Sequence, residues 1–349
     1  MVSRVIKSIL FLLACFGMPR AYAQDSGGNQ IEVVNVINHS KVDIKVDGEL
    51  FTSFVYSEDL KKPVLWPVIS PAGNMLTRSY PFIDKAGDRV DHPHQVGVWF
   101  NYGNVNGLDF WNNSSTIPED KKHEYGVIVH QTLEKVQSGS GRAMLAASAN
   151  WETRDYITLL EEHTSFEFEV NDPIRIIDRI STLKATSEVT FKDNKEGLFA
   201  IRVAGELELP SDESIKQLDS TGAIINAVRS DSKLAGGGYR SALGLEGAGV
   251  WGSRCRWMKL SGEISGELVS VVIIDHPGNP GYPTYWHARG YGLFAANNLG
   301  QRIFSQGNNE LNFKLKTGES AVFKYRLVIA GQDLTDDQIN LLADQFAEK

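Results

Sequence analysis

Cysteine is almost missing from this sequence: two in 349 residues, Cys15 and Cys255. Cys15 falls in what reads as a secretory leader, residues 1–23. Arg4 and Lys7 make its basic start, Ser8 to Met18 its short apolar run, and Ala21-Tyr22-Ala23 a small-x-small cleavage site. Cleavage there leaves Cys255 alone, which excludes an intrachain disulfide and a zinc site of paired cysteines. In Arg254-Cys255-Arg256-Trp257 it reads as a buried small residue rather than a nucleophile. Long apolar runs are missing too. The leader's run is well short of the ~20 residues that cross a bilayer, and no other segment does better. Leu12-Leu13-Ala14-Cys15 resembles a lipoprotein box, but bulky Leu13 and the apolar run beyond Cys15 favour a freely periplasmic or secreted protein over a lipid-anchored one. No basic stripe exists. The net charge of -8 is spread along the chain, which argues against nucleic acid as a partner. No Gly-x-Ser-x-Gly elbow occurs, and Gly236-Gly237-Gly238 lacks the Lys-Ser/Thr ending of a phosphate loop.

Helical periodicity is scarce as well. It is convincing only at the C-terminus, where Thr335 caps, Gln338 completes a capping box, and Ile339, Leu342 and Phe346 form an apolar stripe. What the chain has instead is strands. Val42, Ile44 and Val46 alternate with Lys41, Asp43 and Lys45, and Asp47-Gly48 follows as a hairpin turn. Phe166, Phe168 and Val170 alternate with Ser165, Glu167 and Glu169 before Asn171-Asp172-Pro173 turns the chain. Clean alternation with one wet face predicts antiparallel sheets. The expected fold class is all-β: an antiparallel sandwich or supersandwich with a short C-terminal helix, built as one large domain over residues 24–349. Residues 211–248, rich in Ser, Gly and Asp, read as a long excursion, a lid or specificity loop.

The chemistry concentrates in Asp91-His92-Pro93-His94-Gln95, followed closely by Trp99 and Trp111. Side chains at i and i+2 of an extended chain share a face, and Pro93 biases His92 to extended backbone, so both imidazoles are expected in one pocket. Asp-His-Pro recurs at 275–277, and two such turns at strand ends can bring two imidazoles together.

Several blocks resemble an exported bacterial family labelled "PmoA-like", otherwise of unknown function. They include Lys62-Pro63, Pro71-Ala72-Gly73, Thr77-Arg78, Asp91-His92-Pro93-His94, Gly97-Val98-Trp99-Phe100, Lys195-Glu196-Gly197, Arg202-Val203, Asp275-His276-Pro277 and Pro283 to Gly292. The resemblance implies a fold similar to the galactose-mutarotase-type supersandwich and a setting in bacterial carbohydrate utilisation. The label also implies a membrane oxygenase subunit, which a chain without a spanning helix does not fit. Where the family usually has a third His and an Arg, this chain has Gln95 and Val96, so a His-Pro-His-His metal cluster is incomplete here.

The expected function is acid–base chemistry on a mono- or oligosaccharide: an isomerase, lyase or hydrolase. His92, His94, Glu196, His276 and His287 are the candidate catalytic groups. Arg78, Arg202 and Arg289 can hold a uronate carboxylate or a developing oxyanion through bidentate bonds. Trp99, Trp111, Tyr285 and Trp286 are expected to shape the sugar site with their flat faces. Two alternatives stand beside this: a non-catalytic carbohydrate-binding protein, and an enzyme with a transition metal on His92 and His94. The main reading needs no cofactor.

Overall fold

The computed structural model describes residues 28–228 and 235–349. The expected leader lies outside them. Two sheets carry the fold, and their strands pair antiparallel, as the alternation predicts. The first has nine strands. Their order is Tyr285–Ala288, Leu293–Asn297, Gly197–Arg202, Val98–Tyr102, Val64–Val68, Glu49–Val55, Lys41–Val46, Gln30–Val36 and Gly139–Ser140. The second has eight: Gly238–Ser241, Trp257–Ile264, Glu267–Asp275, Ser320–Ala330, Ile174–Ala185, Thr158–Asn171, Arg142–Glu152 and Val127–Gln137.

The turns form where the sequence places them. Asp47 and Gly48 both have positive φ, 51° and 87°, and close the two-residue hairpin between Lys41–Val46 and Glu49–Val55. Asp172-Pro173 joins Thr158–Asn171 to Ile174–Ala185. Val42, Ile44 and Val46 point inward, with Lys41, Asp43 and Lys45 half-buried on the other face. The main apolar core lies between the sheets and includes Ile44, Phe51, Phe100, Leu145, Phe168, Ile273 and Leu327. Burial of such side chains, at roughly 1.5–3 kcal/mol each, is what holds the layers together.

Part of each sheet's outer face is also covered. Helix Asp336–Ala347 has the expected capping box and packs Ile339, Ala343 and Phe346 against Trp257, Val272, Ile274 and Val328 of the eight-stranded sheet. On the nine-stranded sheet, Val64, Val96, Trp99, Trp111, Ala200, Leu293 and Ala295 form a third cluster. The excursion at 211–248 is partly strand. Ser214–Leu218 and Ile224–Val228 make a hairpin. Its first strand exchanges backbone hydrogen bonds with the chain entering Asp91: Gly87 N to Leu218 O at 2.8 Å, Leu218 N to Asp88 O at 3.0 Å and Val90 N to Lys216 O at 3.1 Å.

Candidate functional site

Strand register creates the platform. His287 pairs with Ala295, Ala295 with Ala200, and Ala200 with Trp99, so these four residues form a row across the outer face of the nine-stranded sheet. Three strand spacings separate its ends, about 15 Å. The two alanines in the middle carry only methyls, and Tyr291 packs onto this cluster. Arg202, two residues beyond Ala200 on the same face, is fully buried beneath the Tyr291 ring, 4.8 Å from its centroid.

Residues 91–95 lie over this platform, shaped by two arginines. Arg78 is buried, and its guanidinium collects loop oxygens: Asp91 Oδ1 at 2.6 Å, Asp91 O at 2.8 Å, and the carbonyls of His92 and Gln95 at 2.9 Å each. Arg202 donates to Asp91 Oδ1 at 2.7 Å and to Gln95 Oε1. Drawing successive carbonyls onto one guanidinium wraps the chain. His92 therefore has φ +44°, not the extended backbone expected ahead of Pro93. Such a conformation costs a non-glycine residue about 1–2 kcal/mol, here offset by charge-assisted hydrogen bonds. Gly97 closes the loop at φ +59°, and a Cβ there would stand 2.2 Å from Leu65 O, so no other residue fits.

The two rings of His92-Pro93-His94 do meet, edge to face, with centroids 5.6 Å apart. Their environments differ. The His92 side chain is 41% exposed, stacks parallel on Tyr291 at 5.1 Å, and faces Asp91 Oδ2 through Nδ1 at 3.1 Å. Burial alone would raise the Asp91 carboxyl; the His92 hydrogen bond and the Arg202 and Arg78 charges outweigh it and hold it well below the usual carboxylate range. His94 is pushed down to about 2 by burial, with the charges of Lys62, His92, Arg78 and Arg202 acting the same way. It stays neutral, and its Nε2 is buried without a partner.

His287 stands at the far end of the row, buried. Its Nδ1 lies 3.0 Å from the carbonyl of Lys195 and 3.7 Å from Glu196 Oε2. Burial, with the charges of Lys195 and Arg289, pushes this imidazole down to about 3. A neutral ring that donates from Nδ1 to a carbonyl leaves Nε2 as an acceptor. Glu196 also contacts Lys195 Nζ. The arrangement thus holds two imidazoles, each fixed through Nδ1, one by a carboxylate and one by a carbonyl.

The structure gathers Arg78, His92, His94, Glu196, Arg202, His287 and Arg289 with Asp91, Gln95 and Tyr291. It does not bring His276 to them. His276 lies at the end of Glu267–Asp275 in the other sheet, packed edge-on against Phe346 of the C-terminal helix at 5.2 Å. Nor do the expected aromatic platforms offer free faces. Trp286 is fully buried in the core between the sheets, Trp99 and Trp111 are fully buried against each other, and Tyr285 is stacked on Phe304 beneath Arg254. These rings were expected at a sugar surface; instead Trp286 faces the core between the sheets, Trp99 and Trp111 belong to the outer cluster, and Phe304 covers Tyr285. Cys255 is buried, as expected, although it precedes the strand Trp257–Ile264 rather than lying in one, and burial raises its thiol.

Two residues escaped the sequence reading of the site. Tyr291 supplies the ring on which His92 and Arg202 rest. Lys62 is buried beside Trp99, 5.6 Å over its ring, and donates to the carbonyl of His94 at 2.7 Å. Burial pushes its ammonium down to about 7 against the pull of Asp109. A lysine leading into Pro63-Val64-Leu65-Trp66 was the available signal. Among the described residues no three His, Cys, Asp or Glu side chains are grouped to hold a metal ion, and no helix is long and apolar enough to cross a membrane.

A family profile described as "Family of unknown function (DUF6807)" matches residues 41–344. No curated protein matches the sequence. Among solved structures, similarity extends to the GH36 alpha-galactosidase AgaB from Geobacillus stearothermophilus, at 10% identity and TM-score 0.37, over 85% of this chain and 40% of that one. The chain therefore spans under half the length of that enzyme. It extends also to a GalM/aldose epimerase homologue from C. elegans, at 11% identity and TM-score 0.31, over 88% of this chain and 100% of that one. A galactose mutarotase related enzyme from Lactobacillus acidophilus matches at 9% identity and TM-score 0.27, over 87% and 98%. TM-scores of this size fix neither activity nor ligand.

Proposed function

We propose, from the premise that the chain belongs to the DUF6807 family of unknown function, that it is an exported enzyme doing acid–base chemistry on a carbohydrate. The observation that carries this reading is the Asp91–His92 pair. Asp91 Oδ1 is held by Arg78 and Arg202 at 2.6 and 2.7 Å, and Oδ2 faces His92 Nδ1 at 3.1 Å. A carboxylate fixed this way selects the tautomer with the proton on Nδ1. It leaves Nε2 of a half-exposed imidazole as the base, and it stabilises the imidazolium once a proton arrives.

The other half of the site is His287 with Glu196. His287 Nε2 accepts a hydrogen bond from a hydroxyl of the substrate, which orients it. Glu196, beside His287 and Lys195, is the second proton carrier. His94 lines the site as a neutral ring. Lys62 holds the loop from beneath.

The binding-protein alternative is weakened by burial. Trp99, Trp111 and Trp286 have no free ring face for a sugar to stack on. The test is a panel of mono- and oligosaccharides with the wild-type chain, His92→Ala and His287→Ala, following conversion by NMR and affinity by calorimetry. Turnover lost with affinity retained supports the enzyme. Affinity lost with no turnover in any variant, wild type included, means a binding protein. Activity that appears only with an added transition metal and disappears with chelator transfers His92 and His94 to ligand roles.

A further inference from the structure

The site's charge runs against that of the chain. The whole sequence carries -8, yet the site gathers Arg78, Lys195, Arg202 and Arg289 against two carboxylates, Asp91 and Glu196. A locally positive cluster in an acidic protein draws anions.

These four cations are not equivalent, and a fifth, Lys62, is spent on the carbonyl of His94. The Nη groups of Arg78 are spent on Asp91 and on the carbonyls of Arg89, Asp91, His92 and Gln95. Those of Arg202 are spent on Asp91 and Gln95 beneath the Tyr291 ring. Lys195 is engaged by Glu196. Arg289 is exposed, and among the described residues its guanidinium meets no carboxylate. Its side chain rests only on the edge of the site, 5.9 Å from the Tyr291 ring centroid. Its backbone is fixed: the Arg289 N–H donates to Leu293 O at 2.7 Å, and Gly292, at φ +89°, donates back to Arg289 O at 3.0 Å. A rooted backbone with a free, planar, five-donor head is suited to a carboxylate.

His92 stacks on the same Tyr291 ring, 5.1 Å from its centroid. The two distances end to end place the Arg289 guanidinium no more than 11 Å from the His92 ring. One or two sugar units bridge that span. We propose that the substrate is an acidic sugar, a uronic-acid unit whose carboxylate is received by Arg289 while its reacting carbon faces His92. This rests on the carbohydrate reading above and names its class. A lone guanidinium fork, with no second free cation among the described residues beside it, matches a planar carboxylate better than a phosphate ester.

The experiment is calorimetric titration of the full chain with glucuronate, galacturonate and their short oligomers, each beside its neutral glucose or galactose counterpart. Arg289→Ala and Arg289→Lys are titrated in parallel. The expected result is tighter binding of at least one uronide than of its neutral counterpart. Arg289→Ala should weaken the uronide about 10–100-fold, the scale of a charged hydrogen-bonded pair, and leave the neutral sugar unchanged. Arg289→Lys should keep part of the affinity, because the charge stays and the fork goes. Neutral sugars binding as well as uronides, or uronide affinity indifferent to Arg289→Ala, overturns the acidic-sugar assignment and spares the carbohydrate reading. Failure of every sugar to bind overturns both. Arg289 is exposed and meets the core through its backbone, which both substitutions keep, so melting temperature should stay at the wild-type value and separate binding loss from misfolding.

Discussion

Asp-His-Pro occurs at residues 91–93 and again at 275–277, and the two copies are built for different work. At 91–93 the carboxylate is held by two buried guanidinium groups and faces an exposed imidazole. At 275–277 the carboxylate is wholly buried among neutral donors: the amides of Asn279 and Asn298 and the backbone N–H of Thr284, at 2.7–3.0 Å. There the imidazole turns away from the carboxylate. His276 Nδ1 accepts from the Gly278 N–H at 2.9 Å and the ring packs on Phe346. A tripeptide therefore carries no function by itself. Arg78 and Arg202 make the first copy a charged pair; asparagines and a helix make the second a structural corner. The same contrast predicts opposite responses to pH and to mutation.

The largest expected difference is in turnover. His92→Ala should lower kcat on the responsive sugar by about 10²–10⁴-fold, the usual contribution of one general acid–base group. Melting temperature should change little, since the His92 side chain is 41% exposed. Removal of His276 should leave kcat alone. Equal losses from both substitutions would dissolve the distinction between the turns.

Next in size is the pH dependence at Asp275. Burial pushes this carboxyl up to about 7, against the hydrogen bonds of Asn298, Asn279 and Thr284 and the charge of Arg254. A folded-state pKa raised above the unfolded one means that the folded chain holds its proton longer. Stability from this group is then full below about pH 4 and is lost as pH rises through about 7. Three pH units at ~1.4 kcal/mol each set a ceiling of about 4 kcal/mol. Urea unfolding of wild type and Asp275→Asn at pH 4.5 and pH 8 isolates it: the difference should move in favour of the variant as pH rises. A flat difference means that the donors keep Asp275 ionised throughout.

Asp91 should show the opposite sign. Its folded-state pKa is depressed, so its contribution is present above the unfolded value near 4 and is lost as pH falls through the lower folded one. Asp91→Asn leaves two buried guanidinium groups without their counter-charge. Arg78 keeps its carbonyl partners, so the cost at pH 7 should be about 2–3 kcal/mol, under the ~3–5 of a fully broken buried pair. The gap to wild type should close below pH 4. A gap that persists into acid would mean that shape, not charge, is what Asp91 supplies.

These contrasts also mark what sequence could convey. Alternation in Lys41–Val46 and Thr158–Asn171, the turns at Asp47-Gly48 and Asp172-Pro173, and the Thr335–Gln338 capping box are local features, and each appears where its residues place it. The grouping of His92, His94, Glu196 and His287 was readable as a concentration of chemistry, though not as a geometry. What the sequence could not show depends on a second layer. Trp99 and Trp286 look like sugar platforms until the first is found packed in the outer cluster and the second in the core between the sheets. Arg78 and Arg202 look like ligand-binding cations until their donors are counted against loop oxygens from Arg89 to Gln95. His276 looks like a partner of His92 until its strand is assigned to the other sheet.

The smallest expected effect lies at His276 and tests that last assignment. Its ring contributes an edge-on contact with Phe346 and one hydrogen bond from Gly278. His276→Ala should cost roughly 1–2 kcal/mol, an aromatic contact and a local hydrogen bond together. Burial and the charge of Lys324 depress this imidazole, with Asp178 opposing. Its contribution is accordingly present above the unfolded-state value near 6.5 and is lost as pH falls through the folded one. His276→Ala should therefore be less costly at pH 5 than at pH 8 by chemical denaturation, with uronide affinity and kcat unmoved at either pH. A loss of kcat without a loss of stability would return His276 to the catalytic set and require the two sheets to share one site.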